Sequence, residues 1–328
     1  MPRGWTMTGA PEPGGVPSAG RPPAAAEVAG ASPPSADDQP VFAAEDPRRT
    51  LDDLVIPAPV RERIESALSL LRNHQTLFIS WNLAQLDPYY KGTAINLYGP
   101  SGTGKSMCAE AIAHAIGRPF ISVNYAQLES RYVGQTPKNI ESAFNAARQQ
   151  SAVLVFDEAD AMLGSRLSQV TQSADHAVNV SRTTMLRQLD RFDGLVVFTT
   201  NFPENYDAAF VRRILTHIRF DLPNHPTLLR LWSRLLPAEL PLGADVELGV
   251  LAAHSVGLAG GDLVNVVIRA ATAAVSRSGD LRRVFLADVL AELAAARLAR
   301  TEVGKPPQGA RQVAERLPTA RAATVADG

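Results

Sequence analysis

A single cysteine, Cys108, stands in 328 residues. No internal disulfide can form, and a fold held by packing in a reducing compartment is expected. The six histidines are scattered, and none sits at zinc-ligand spacing from Cys108 or from another histidine. Charge of one sign is missing too: 32 Lys and Arg against 33 Asp and Glu leave a net charge of -1. Such a chain has no overall attraction to DNA, RNA or anionic membranes. There is no run of 18 apolar residues, and the opening "MPRGWTMTGAPEPGG" has an arginine but no apolar run of seven or more. The sequence alone therefore predicts neither a membrane span nor a signal peptide, and a soluble cytoplasmic protein.

A hydrophobic content of 45% is globular, and the length suits one large domain or two ordinary ones. Residues 1–46 are rich in Pro, Ala, Gly and Ser and read as a disordered arm, because so few large apolar residues cannot offset the entropy of ordering. Order is predicted from "RRTLDDLVIPAPVRERIESALSLLRNH", where Thr50 caps a short turn and Val60, Ile64, Leu68 and Leu71 recur at helical spacing. Strands at 94–99, 119–124, 152–160, 194–201 and 217–222 then alternate with helices at 105–117, 138–150, 180–192 and 207–216. That alternation predicts a doubly wound α/β domain over 47–223, a five-stranded parallel sheet covered on both faces. From 224 to 303 every segment has a helical period, which predicts a small all-α domain. Residues 304–328 read as a disordered tail.

"GPSGTGKS" at 99–106 fits G-x-x-x-x-G-K-[ST], a pattern expected by chance in roughly one chain in a hundred of this length. Here it lies between a strand and a helix, the context that gives it meaning. Gly99, Gly102 and Gly104 let the backbone, with Pro100, Ser101 and Thr103, curl its N–H groups around anionic oxygens. The helix that follows aims its positive end at them. Lys105 adds a cation near the β- and γ-phosphates of a nucleotide, and Ser106 offers a hydroxyl to Mg²⁺. "VLVFDEAD" at 153–160 is a buried strand ending in acids. Asp157 leaves its carboxyl end beside the phosphate loop, to hold Mg²⁺ through water, and Glu158 is placed to polarise an attacking water as general base. Asn201 emerges at the same rim from "VVFTTN" and is read as positioning that water.

Taken together, these residues resemble the AAA+ ATPase family over about 95–275. Walker A is "GPSGTGKS", Walker B is "VLVFDEAD", and "TTNFPENYDAAFVRRI" is similar to the second region of homology, with sensor 1 at Asn201. The resemblance implies ATP and Mg²⁺ as cofactors, a ring that is usually a nucleotide-stabilised homohexamer, and hydrolysis at the subunit boundaries. A neighbour's arginine would stabilise the transferring phosphoryl group: Arg213 is the first choice and Arg212 the second, with a salt-bridged helix-end role expected for one of the two. Arg166 and Arg182 are further boundary candidates. "SRYVG" looks like pore loop 1, with Arg131, Tyr132 and Val133 gripping a polypeptide in a central channel. The segment 165–179 would be a second pore-facing loop. The helical end resembles the AAA+ lid, but Gly260, Gly261 and Asp262 stand where many relatives carry a sensor 2 arginine, as in the protein-remodelling AAA subgroup. Arg269 and Cys108 are expected to be structural. The wording of "WNLAQLDPYYKGTAINLYGPSGTGKS" is similar to stand-alone bacterial AAA ATPases, some of them associated with contractile injection particles. The function implied is ATP-driven remodelling, unfolding or disassembly of a protein substrate. An ATP-gated assembly scaffold is the alternative, and a DNA motor or loader is disfavoured by the near-neutral charge.

Overall fold

The computed structural model describes residues 42–86, 94–129, 135–164, 173–201 and 206–302. The chain enters through a 3-10 turn, Leu51–Asp53, and helix α1 (Ala58–Arg72). As predicted, Thr50 caps the turn, its N–H and hydroxyl both donating to Asp53 Oδ2 at 2.7 and 3.0 Å. The alternation then follows. Strand β1 (Ala94–Tyr98) leads to α2 (Lys105–Ala115), and β2 (Phe120–Asn124) to α3 (Tyr125–Leu128) and α4 (Gln135–Gln149). Strand β3 (Val153–Asp157) leads to α5 (Asp160–Leu163) and α6 (Ser173–Arg191), β4 (Val196–Thr200) to α7 (Ala208–Arg213), and β5 (Thr216–Arg219) closes the set.

The five strands form one parallel sheet in the order β2-β3-β4-β1-β5. Tyr98 lies level with Thr200, and Asn124 with Asp157. The carboxyl ends of β1, β3 and β4 therefore open onto one rim, the place where parallel sheets bind ligands. Along β3, Val153 and Val155 face α1 and α2, while Leu154 and Phe156 face α4 and α6. Both faces are covered, which is why the strands read as unbroken apolar runs. On the α4 side Phe156 stacks on Phe198 with centroids 5.5 Å apart, and Phe144 meets Phe192 edge-on at 5.2 Å. Cys108 is fully buried on the other side, where burial pushes its thiol up to about 12. It forms no thiolate at neutral pH and acts as packing.

Helices α8 (His225–Leu235), α9 (Leu248–His254), α10 (Gly260–Val275) and α11 (Leu286–Glu302) enclose a separate core around Trp232. The Trp232 indole N–H donates to Ser255 Oγ at 2.9 Å, which satisfies the polar atom of this buried ring. Helix α8 starts at Asn224, whose side chain accepts from Thr227 N at 3.1 Å, with proline in the first turn.

Two boundaries differ from the sequence reading. The fold begins before residue 47: Phe42 is buried, Glu45 exchanges backbone hydrogen bonds with Phe120 at 2.8 and 2.9 Å, and Gln150 clamps Ala44 N and Phe42 O. One aromatic and one bridge anchor this strap to the sheet, too little to register in composition. Helix α6 begins at Ser173 rather than 180, so the end of the suggested second pore-facing loop, Ser173–Asn179, is helical. Its polar first turns carry no apolar stripe to reveal the period.

Candidate nucleotide-binding site

The phosphate loop leaves β1 at Gly99, which adopts φ +138°, and a Cβ there would lie 1.9 Å from the carbonyl oxygen of Phe220. Only glycine lets β1 turn this close under β5. Gly99→Ala is expected to lower stability by about 2–4 kcal/mol through strain and overpacking. A urea midpoint equal to that of wild type would contradict the close approach. Gly102 and Gly104 also have positive φ, and Gly104 is the N-cap of α2. The first N–H groups of α2 thus open onto the loop, where they have no partner within the helix.

Lys105 is buried, and its ammonium donates to Gly99 O, Pro100 O and Asn201 Oδ1, each at 2.8 Å. Burial lowers its pKa, while Asp157, Asp160 and Glu158 pull it back up. Among the described residues it forms no ion pair, so a desolvated cation stands over a glycine cradle. Ser106 Oγ donates to Asp157 Oδ1 at 2.9 Å, and Thr199 Oγ1 bonds the same carboxylate oxygen. Glu158 is exposed toward the pocket with φ +54°, a left-handed conformation that costs a non-glycine residue about 1–2 kcal/mol. Asn201, read as a water-positioning group, is at the predicted rim. Its side chain is engaged by Lys105, and its N–H donates to Asp160 Oδ1 at 3.0 Å.

The lid meets the loop directly. Gly261 N donates to Gly102 O at 3.0 Å, and a Cβ on Gly261 would come within 3.3 Å of Gly102 Cα. Small residues are required where the two backbones touch, so this helix start has no room for a long side chain pointing inward. Asp262 closes the N-terminus of α10 by accepting from Ala259 N at 2.7 Å. Arg269 is exposed and faces Glu292 at 3.9 Å, away from the loop.

Between loop and lid lies a pocket of about 610 Å³ lined by Lys105, Ser106, Asp157, Glu158 and Asn201 at one end. The other end, which the sequence reading missed, is apolar: Val55, Ile56, Val60, Leu231, Leu235 and Val264. The available signal was "LVIP", an apolar run outside any helical period and therefore buried against something distant. Arg213 is held by Asp190 of α6, with Nε and Nη2 donating to the two carboxylate oxygens at 2.7 and 3.1 Å. Arg212 is exposed, and among the described residues its Nε reaches only Ala208 O at 3.4 Å. Arg182 is 8% exposed with its guanidinium beside Gly164, which removes it from the boundary candidates. Arg131, Tyr132, Val133 and Arg166 lie outside the described residues.

The model of a family described as "ATPase family associated with various cellular activities (AAA)" matches residues 95–222, from β1 past β5. These residues are an AAA ATPase domain. Helices α8–α11 follow the matched residues as a helical C-terminal part. The chain is 32% identical over 249 residues to ATP-dependent zinc metalloprotease FtsH 3 of Sphaerobacter thermophilus, covering 73% of the chain and 48% of that protein. It is 32% identical over 191 residues to 26S proteasome regulatory subunit 10B homolog A of Arabidopsis thaliana, covering 56% and 47%. It is 34% identical over 178 residues to spastin of Ixodes scapularis, covering 51% and 26%. The chain thus spans about half or less of the length of these relatives. Among the described residues, no helix is long and apolar enough to cross a membrane.

Proposed function

We propose that this AAA+ ATPase binds ATP with Mg²⁺, hydrolyses it at the subunit boundaries of a homohexameric ring, and uses the cycle to pull on, unfold or disassemble a protein. The observation that carries the ATP reading is the buried Lys105 ammonium over the Gly99–Gly104 cradle, beside the open N-terminus of α2. The donor set also fits magnesium: the Ser106 hydroxyl and the Asp157 carboxylate, both oxygen ligands, stand 2.9 Å apart beside the loop. When bound, the ion would neutralise charge between the β- and γ-phosphates. Lys105 exchanges its carbonyl partners for phosphate oxygens. Glu158 accepts the proton of the attacking water as the new P–O bond forms, and the bridging oxygen leaves with ADP. Asn201, freed from Lys105, holds that water. The apolar end of the pocket suits an uncharged base.

A protein substrate is supported by the names of the relatives, a metalloprotease and a proteasome regulatory subunit among them, and by "SRYVG". Six copies of Tyr132 and Val133 would grip any polypeptide by stacking and apolar contact, with Arg131 adding charge. Tyr132→Ala is expected to keep ATPase activity within about twofold and to abolish remodelling. The check is phosphate release beside ATP-dependent release of a client trapped on the ring. Equal loss of both activities would remove the gripping role.

A further inference from the structure

The apolar end of the pocket has two walls from different parts of the chain. One is the segment after the 3-10 turn, with Val55 and Ile56; the other is lid helix α8, with Leu231 and Leu235. Among the described residues, the hydrogen bonds joining these walls come from two arginines one turn apart on α8. Arg230 Nη1 donates to Ile56 O at 3.3 Å. Arg234 makes the closer contact, with Nη1 to Asp52 O at 2.6 Å and Nη2 to Asp53 Oδ1 at 2.9 Å. Asp53 divides its carboxylate: Oδ2 takes both bonds from Thr50, and Oδ1 is left for the lid. These bonds hold the Asp53 carboxyl below its ordinary pKa, Thr50 contributing first and Arg234 after it. The turn is in turn anchored to the phosphate-loop helix, where Glu110 Oε1 of α2 accepts Arg48 N and Arg49 N at 2.7 and 3.0 Å. A continuous set of bonds therefore runs from α2, through the turn, to the lid.

We propose that Arg234 and Asp53 form a clasp across the mouth of the pocket that holds the lid down and sets how fast nucleotide leaves. The inference rests on the nucleotide reading of this pocket. Arg234 is a positioning residue: it acts on the nucleotide through the lid, by keeping Leu231 and Leu235 against Val55 and Ile56. The side chains are 50% and 28% exposed, so the bridge adds little to folding, yet both residues line the pocket that the two walls share. Opening the lid must break a forked contact to a carboxylate and a carbonyl, both charge-assisted. A contact this exposed breaks often enough to let exchange proceed.

The test loads the full-length protein with N-methylanthraniloyl-ADP and follows its release by stopped flow after a chase of excess ATP. Arg234→Ala is expected to release the label about tenfold faster, and Asp53→Asn a few-fold faster. Asparagine keeps an acceptor for Thr50, so Asp53→Asn reports on the clasp even where Arg234→Ala folds poorly. The double variant should be no faster than Arg234→Ala, and Arg234→Lys should fall between that variant and wild type. Release from wild type should quicken with salt more steeply than release from Arg234→Ala, which keeps only the salt dependence of the phosphate contacts. Release at the wild-type rate in Arg234→Ala, or additive effects that follow melting temperature, would overturn the clasp alone. Failure of wild type to take up the label would overturn the nucleotide reading and the clasp with it.

Discussion

Glu158→Gln is expected to bind ATP as wild type does and to hydrolyse it about 10²–10⁴-fold more slowly. The amide matches the carboxylate in size and leaves the phosphate cradle intact. Glu158 is not among the bonds of Lys105 or Ser106, and its own N–H reaches Thr199 Oγ1 at 3.3 Å through the backbone, which the substitution keeps. What is lost is a group able to take a proton from water. The left-handed backbone at Glu158 presents this side chain to the pocket. Phosphate release and labelled-nucleotide titration check the split; hydrolysis within threefold of wild type would mean that Glu158 is not the base. Sizing the variant with ATP then tests the larger reading. A ring holding a polypeptide supports the motor and yields its client. An empty ring moves weight to the assembly-scaffold alternative, and no ring at all undermines an arginine supplied by a neighbour.

The sheet was legible because strands buried on both faces announce themselves as short apolar runs, and the phosphate loop because its glycines and lysine have few other uses together. The predicted strands and helices followed from local period and held to within a few residues, α6 apart, while the one-turn helices α3 and α5 were not foreseen. What escaped was contact between parts distant in the chain. Gly102 and Gly261 touch across 159 positions, and neither the phosphate-loop pattern of the one nor the helix-start position of the other names its partner. Val55 and Ile56 gain meaning only once the lid covers them. The partner of Arg213 sits 23 residues earlier on another helix, which no reading of "VRRI" can supply. Residues 42–46 join the fold through an edge bridge, the Gln150 side chain and a buried Phe42, signals too short for composition to carry.

Arg212→Ala is expected to leave nucleotide binding intact and to lower turnover of the assembled enzyme by about 10³-fold, the lower end of what an arginine finger contributes in related nucleotide hydrolases. The resemblance put Arg213 first, and the bonds of the two side chains are the reason to expect Arg212 instead. Both residues end α7, a two-turn helix capped by Asp207. Arg213 is spent within its own subunit: its fork grips both oxygens of Asp190, its Nη1 donates to Ala209 O at 3.1 Å, and the Asp190 bond raises its pKa. Reaching a neighbour's phosphate would leave Asp190 behind. Arg212 has no carboxylate partner among the described residues and can extend without breaking anything comparable. Arg213→Ala is therefore expected to act on stability, by about 1 kcal/mol for a pair this exposed, with the loss of activity following the loss of fold. Mixing subunits separates the roles. Arg212→Ala subunits keep Glu158, and Glu158→Gln subunits keep Arg212, so each preparation is nearly inactive alone. A mixed ring seats an intact pocket beside an intact arginine and should recover activity. Mixed rings that form and stay inactive would show that Arg212 does not work across the boundary, and recovery with Arg213→Ala in its place would restore the original ranking.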